Sequence, residues 1–230
     1  MCRRRQKLTH VQERGWQGHF LFSFGMALSR LLLRLRFKGK EHLPQEGAYL
    51  LVANHQSMFD GLWIMGGLPA KQRSRFSVLA GSDLEEQYGL TGRIMFRVGK
   101  AIPIDRFGNP LRGLLLAKKS LEQGNIVLIH PEGTRSHDGR MGEVKNGAAY
   151  LAAKTKLPVV PVYIHGAYQA FSRHMSVPHP IDWKKMRRKK IIIDYCPPIH
   201  PGPGDNKDQI MEAISTALQQ KEDHYLGPRS

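Results

Sequence analysis

Short apolar runs alternate along this chain with longer segments in which apolar residues return every three or four positions. The runs fall at residues 48–53, 75–80, 101–104, 126–129, 159–164 and 190–195, and most are dense in Val, Ile or Leu, which reads as buried strand. Residues 83–98, 111–123, 146–156 and 205–221 read as helices, the first weakened by glycine at its centre and the third rich in alanine. Within 111–123 the spacing turns Leu111, Leu114, Leu115 and Leu121 inward and Lys118 and Lys119 outward, with Gly124 placed to end the helix. Asp205 is a candidate N-cap for the last helix. A short helix after Asp60 ends at Gly66-Gly67, ahead of Pro69. Strand and helix alternating in this way predict an α/β fold with a mixed, mostly parallel sheet covered by helices.

The first 40 residues depart from that rhythm. Residues 1–7 form a cationic tail, and residues 20–36 are dense in Leu and Phe, with Ser23, Ala27, Arg30 and Arg34 on one helical stripe. As a helix this segment reaches about 25 Å, short of the ~30 Å hydrocarbon core of a bilayer, and it carries three arginines. Glu13 and Arg30 also disfavour a signal peptide. The pattern fits an amphipathic helix lying in a membrane interface, the alternative being a helix packed on the chain's own core. The expected division is therefore 1–38 as basic tail and interface helix, and 39–230 as the main domain.

Composition narrows the partners. The 230 residues are 41% hydrophobic, enough for one sizeable core. A formal charge of +16 and a pI near 10.1 point to phosphate-bearing substrates, anionic lipid or nucleic acid. Cys2 and Cys196 make no pairing framework or metal motif, which fits a reduced setting. Eleven histidines without ligand spacing give no expectation of a catalytic metal. Residues 184–190 hold six cations beside Trp183, fitting a polybasic patch worth about 1 kcal/mol per residue against anionic headgroups.

Candidate chemistry centres on Asn54-His55-Gln56-Ser57-Met58-Phe59-Asp60, at the hand-over from strand to helix where ligands bind in α/β sheets. An imidazole titrating near pH 6.5 takes a proton from an alcohol at neutral pH, best when a carboxylate holds its other nitrogen. His55 and Asp60 are the candidate dyad. The competing reading is a capping box with Ser57 as N-cap and Asp60 in the first turn. His200 and Asp205 repeat the same spacing in a Pro/Gly-rich loop, so spacing alone is weak. Ser57 as a nucleophile is explained more simply by capping.

A second motif, Pro131-Glu132-Gly133-Thr134-Arg135-Ser136, follows the run at 126–129, about 75 residues further on. In this order the two motifs resemble the glycerolipid acyltransferase family, marked by Asn-His-x-Ser-x-x-Asp and Phe-Pro-Glu-Gly-Thr-Arg-Ser. Gly99-Lys-Ala-Ile-Pro-Ile-Asp-Arg106 and Val160-Pro-Val-Tyr163 match two lesser blocks, and the resemblance covers about 70% of the chain. His130 departs from it, standing where the family usually has Phe or another apolar residue.

The resemblance implies an acyltransferase that uses His55 as general base and Asp60 as its orienting carboxylate. It implies that Gly133, Thr134, Arg135 and, from the lesser block, Arg106 hold a glycerophosphate. Arg135 offers the planar fork suited to phosphate, and the turn at Gly133 aims backbone N–H groups at an anion. Lys145 is a further candidate cation. Glu132 is a candidate substrate contact, the alternative being a local pair with an arginine. The expected reaction moves an acyl group from acyl-CoA or acyl-carrier protein to the sn-2 hydroxyl of a lysophospholipid, 1-acylglycerol 3-phosphate first, at the cytoplasmic face of a membrane as a peripheral protein. No cofactor is expected, since the thioester carries the activation, and no nucleic acid. The alternatives are another lysolipid acceptor, a thioesterase using the same dyad on water, or a basic non-catalytic lipid-binding module.

Overall fold

Side chains alternate across a strand, so an unbroken apolar run needs cover on both of its faces. The computed structural model, which describes residues 14–229, supplies that cover; the tail at 1–7, Cys2 and Glu13 lie outside the described residues. The chain opens with α1 (Gly15–Leu32) and β1 (Arg34–Lys38), followed by β2 (Tyr49–Ala53), α2 (Asp60–Gly67), α3 (Ala70–Arg73) and β3 (Phe76–Gly81). Next come α4 (Leu84–Gly99), β4 (Ile102–Ile104), α5 (Leu111–Glu122), β5 (Ile126–Ile129), α6 (Gly147–Thr155) and β6 (Val159–His165). The last third holds α7 (Ala167–Phe171), β7 (Ile181–Asp182), β8 (Arg187–Arg188), β9 (Lys190–Tyr195) and α8 (Lys207–Leu226).

Seven strands form one sheet in the order β1-β9-β6-β2-β5-β3-β4, while β7 and β8 pair as a separate hairpin. From β6 to β4 all neighbours are parallel; β9 meets β6 antiparallel and carries β1 parallel to itself. The mixed, mostly parallel sheet expected from the pattern is the one found. Tyr49, Leu51 and Ala53 of β2 pack toward Phe22 and Met26 of α1 and Trp63 of α2. Leu50 and Val52 face the opposite layer, with Ala117, Leu121, Ala148, Ile214 and Leu218. Parallel β2, β3, β4, β5 and β6 present their carboxyl ends on one rim, and the site is built there.

Four local expectations are corrected. The helix expected over 20–36 is α1, which ends at Leu32, and Arg34–Lys38 is an edge strand. Its R-L-R-F-K alternation turns Leu35 and Phe37 toward the protein. The opening segment is thus tied into the sheet.

In α5, Leu111 and Leu115 are 49% exposed and the buried stripe is Gly113, Ala117, Ser120 and Leu121. The helix lies too close to β4 for leucine there: a Cβ on Gly113 would stand 2.8 Å from Ile104 Cβ. The N-cap of α8 is Asn206, whose Oδ1 accepts from Asp208 and Gln209 N–H while Gln209 returns the bond. Asp205 instead accepts from Gly202 N–H in the preceding loop. Ser57 does not cap α2, which starts at Asp60 after Phe59.

The glycine-weakened centre of α4 is a true break, with Gly89 at φ 52° and ψ −122°. Arg14, with no counterpart in the sequence reading, pins the start of α1. It is 4% exposed and donates to the carbonyls of Val98, Arg73 and Phe76 at 2.7, 2.5 and 3.1 Å.

Candidate active site

His55 follows the carboxyl end of β2, and nearly every neighbour of it is fixed. Asn54 clamps Ile164 of β6 through both its N–H and its C=O, at 2.7 and 3.0 Å. Gln56 donates to Gly139 O and accepts from Ala167 and Tyr168 N–H. The His55 backbone donates to Glu132 Oε1 at 2.7 Å and accepts from Ser136 N–H at 2.7 Å. The two motifs, distant in sequence, are therefore laced together by the chain itself.

The dyad geometry is present. His55 Nδ1 lies 2.9 Å from Asp60 Oδ2, which also accepts from the Gln56 and Ser57 N–H groups at 2.7 and 2.8 Å. Asp60 is thus both the local turn-closing carboxylate and the partner of the imidazole, so the two readings of this residue merge. The contact makes Nδ1 the protonated nitrogen and leaves Nε2 available to a substrate. Ser57 is fully buried and its Oγ accepts from Phe59 N–H, with no part in the dyad.

Burial lowers the His55 imidazole to about 3, and the charges of Arg135 and Arg106 push the same way. Burial raises Asp60 to about 6, against His130 and the two N–H donors. Their mutual contact opposes both shifts, so at neutral pH the pair is an ionised carboxylate beside a neutral imidazole.

His130, marked in the sequence only as a departure, lies against His55: the two rings stack with centroids 4.0 Å apart. His55, Asp60 and His130 gather their nitrogen and oxygen atoms within 4.8 Å of one another, a cluster that sequence spacing does not reveal. The rings are within 12° of parallel, so their in-plane lone pairs do not converge on one point, and both Nδ1 atoms are committed.

Beside His55 opens a cavity of about 750 Å³ whose polar end is lined by Arg106, Gly133, Thr134, Arg135 and Lys145. These five expected site residues come together there with His55. Arg106 donates to both oxygens of Asp83, at 2.5 and 3.2 Å, and to Gly133 O at 3.1 Å. Arg135 donates to the Tyr88 hydroxyl and lies over its ring at 5.6 Å. Gly133 holds the turn at φ 72°, and a Cβ there would stand 3.3 Å from Lys145 Nζ.

Glu132 is the exception. It sits behind the rim, 5% exposed, with its two oxygens on the N–H groups of His55 and Gly142 rather than on an arginine. Burial raises it to about 7.

The apolar end of the cavity is walled by Leu21, Phe24 and Leu28 of α1, Leu62 and Met65 of α2, and Met95 of α4. Sequence reasoning missed this role of α1 and α4, as well as Asp83 and Tyr88. The only signal was the acid and aromatic residue set just before the glycine break.

A sequence model of the family described as Acyltransferase matches residues 34–165. The human 1-acyl-sn-glycerol-3-phosphate acyltransferase alpha is 32% identical over 144 residues, covering 60% of this chain and 48% of the relative. The 1-acyl-sn-glycerol-3-phosphate acyltransferase of Limnanthes douglasii is 28% identical over 170 residues, covering 72% of this chain and 54% of the relative. This chain spans about half the length of the curated relatives it matches. The crystal structure of the LPA acyltransferase PlsC from Thermotoga maritima superposes with a TM-score of 0.72 at 22% identity, over 94% of this chain and 83% of that one, and shares the fold. With a family model extending over more than half of its length, the chain belongs to the acyltransferase family.

Proposed function

We propose that this chain transfers a fatty acyl group from an acyl thioester, acyl-CoA or acyl-carrier protein, to the sn-2 hydroxyl of 1-acyl-sn-glycerol 3-phosphate, giving phosphatidic acid. The observation that carries the reading is the Nδ1–Asp60 contact at 2.9 Å, which leaves His55 Nε2 at a cavity whose polar end holds two arginines. Nε2 takes the hydroxyl proton as the oxygen attacks the thioester carbonyl. The tetrahedral intermediate then collapses, the C–S bond breaks, and the thiolate leaves with the proton returned by the imidazolium. Asp60 stabilises that imidazolium. Arg135 and Arg106 orient the phosphate, Lys145 adds a third cation, and the apolar cavity takes acyl chain. No cofactor enters the scheme, because the thioester supplies the activation.

The site works at a membrane surface in this proposal. No helix among the described residues is long and apolar enough to cross a membrane. α1 nevertheless exposes Trp16, Phe20, Phe24, Leu28 and Leu31 along one side while Phe22 and Met26 pack inward. Together with the cations of 184–190, this side supports peripheral attachment to anionic lipid at the cytoplasmic face.

Thiol release from acyl-CoA, followed with and without lysophosphatidate, tests the reaction. Release that depends on the acceptor and yields phosphatidate is expected. Equal release without acceptor makes the chain a thioesterase instead.

A further inference from the structure

We propose that His130 is a positioning residue for the base: its ring is a wall laid on one face of His55, fixing the plane of that imidazole and keeping water from it. The inference rests on the reading of His55 as the base. The rings stack at 4.0 Å with 12° between their planes. His130 is anchored from behind, its Nδ1 lying 3.0 Å from Ala53 O and 3.1 Å from Asn54 O. Both partners are carbonyls, so Nδ1 carries the proton and donates, which leaves Nε2 bare and fixes the tautomer. The anchoring carbonyls are those of Ala53, which ends β2, and Asn54, so His130 grips the very turn that carries His55.

The charged groups around His55 are Asp60 at Nδ1 and the guanidinium groups of Arg135 and Arg106, and the titratable ring stacked on it is His130. Glu132 holds the His55 backbone N–H. Burial and the neighbouring His55 both keep a proton off His130. His130 therefore stays neutral while His55 gains and loses its proton, and a neutral aromatic face stacks on the imidazolium without repelling it. Loss of water is the largest influence on the His55 imidazole. Removing the ring readmits water on that face, which raises the affinity of His55 for protons toward its ordinary 6.5 and loosens its plane.

The test compares pH profiles of the full chain as wild type, His130→Ala and His130→Phe, with lysophosphatidate and acyl-CoA as substrates. For His130→Ala the acid limb of kcat/KM is expected to move up by about one pH unit or more. Its kcat is expected to fall about tenfold while the acceptor KM stays within about twofold, since geometry at the base and not acceptor binding is lost. His130→Phe, which restores an aromatic ring, is expected to recover the wild-type acid limb and most of kcat. A purely structural role would lower the amount of folded enzyme without moving the limb.

Profiles that overlay for wild type and His130→Ala overturn the proposal, as does a His130→Phe enzyme as impaired as His130→Ala. Should His130→Ala not fold, His130→Leu serves as the ringless variant with the same outcomes. His55→Ala run alongside separates the two readings: turnover retained there refutes the base itself.

Discussion

Burial holds the His55 imidazole neutral at pH 7, and the contact with Asp60 fixes Nε2 as the nitrogen able to accept a proton. His55→Ala is expected to fold and to lose about 10²–10⁴ in kcat, as loss of a general base does, with circular dichroism confirming the fold. Arg135 gives a different signature. Lysine keeps the charge but not the planar fork, so Arg135→Lys should raise the KM for lysophosphatidate and leave kcat far less affected than His55→Ala does; steady-state kinetics in both substrates decide it.

Glu132 makes a prediction about stability. Its folded carboxyl sits at about 7 against an ordinary 4.5, because burial disfavours the charge. Between those values the folded state binds more protons than the unfolded chain, so the stabilising contribution of protonated Glu132 is present below pH 4.5 and is lost as pH rises through 7. Glu132→Gln cannot ionise, and its amide brings an N–H donor toward backbone N–H groups that need acceptors. The variant is therefore expected to be less stable than wild type near pH 5, by about 1–3 kcal/mol, with the gap shrinking toward pH 8 in urea titrations.

Among the elements, α1 shows how one helix serves two surfaces. Gly18, Phe22 and Met26 pack inward, Arg14 locks its first turn to the core, and Phe24 and Leu28 wall the cavity. Removing the opening 36 residues would take away a cavity wall and part of an edge strand, so point changes on the exposed side are the cleaner probe of attachment. α8 illustrates local control: Asn206 bonds two N–H groups of the first turn, whereas Asp205 bonds only a loop glycine. Asn206→Ala is expected to cost about 1 kcal/mol in thermal or urea unfolding, and Asp205→Asn a few tenths or less. Asp205→Asn should also leave turnover intact, although His200 and Asp205 repeat the spacing of the dyad. The physical difference is that Asp60 starts a helix on a strand-end rim while Asp205 lies in an exposed loop.

For the whole molecule, the proposed attachment draws on the +16 charge and the exposed side of α1 together. Binding to liposomes is expected to favour anionic over zwitterionic lipid and to weaken as salt rises from 0.05 to about 0.5 M, because screening shortens the reach of the cations. Replacing Trp16, Phe20 and Leu31 by serine, none of which lines the cavity, should reduce flotation with vesicles while sparing turnover on a short-chain soluble acceptor; undiminished flotation refutes the attachment surface.

The fold class, most strands and the pair of motifs were legible in the sequence, because unbroken apolar runs and strand-end turns are local properties of a chain. The His55–Asp60 contact was legible too, since only four residues separate its members. What only the tertiary structure decided is the company each residue keeps. Val52 pairs with Ile129, so parallel neighbours β2 and β5 end together and lay His130 on His55 and Glu132 on its backbone. A second parallel pairing, of β3 with β4, sets Arg106 against Asp83, and packing brings Arg135 to Tyr88 and α1 to the cavity. Periodicity tells which face of an element is buried but not against what, and that choice is made by strand order and register across the whole sheet.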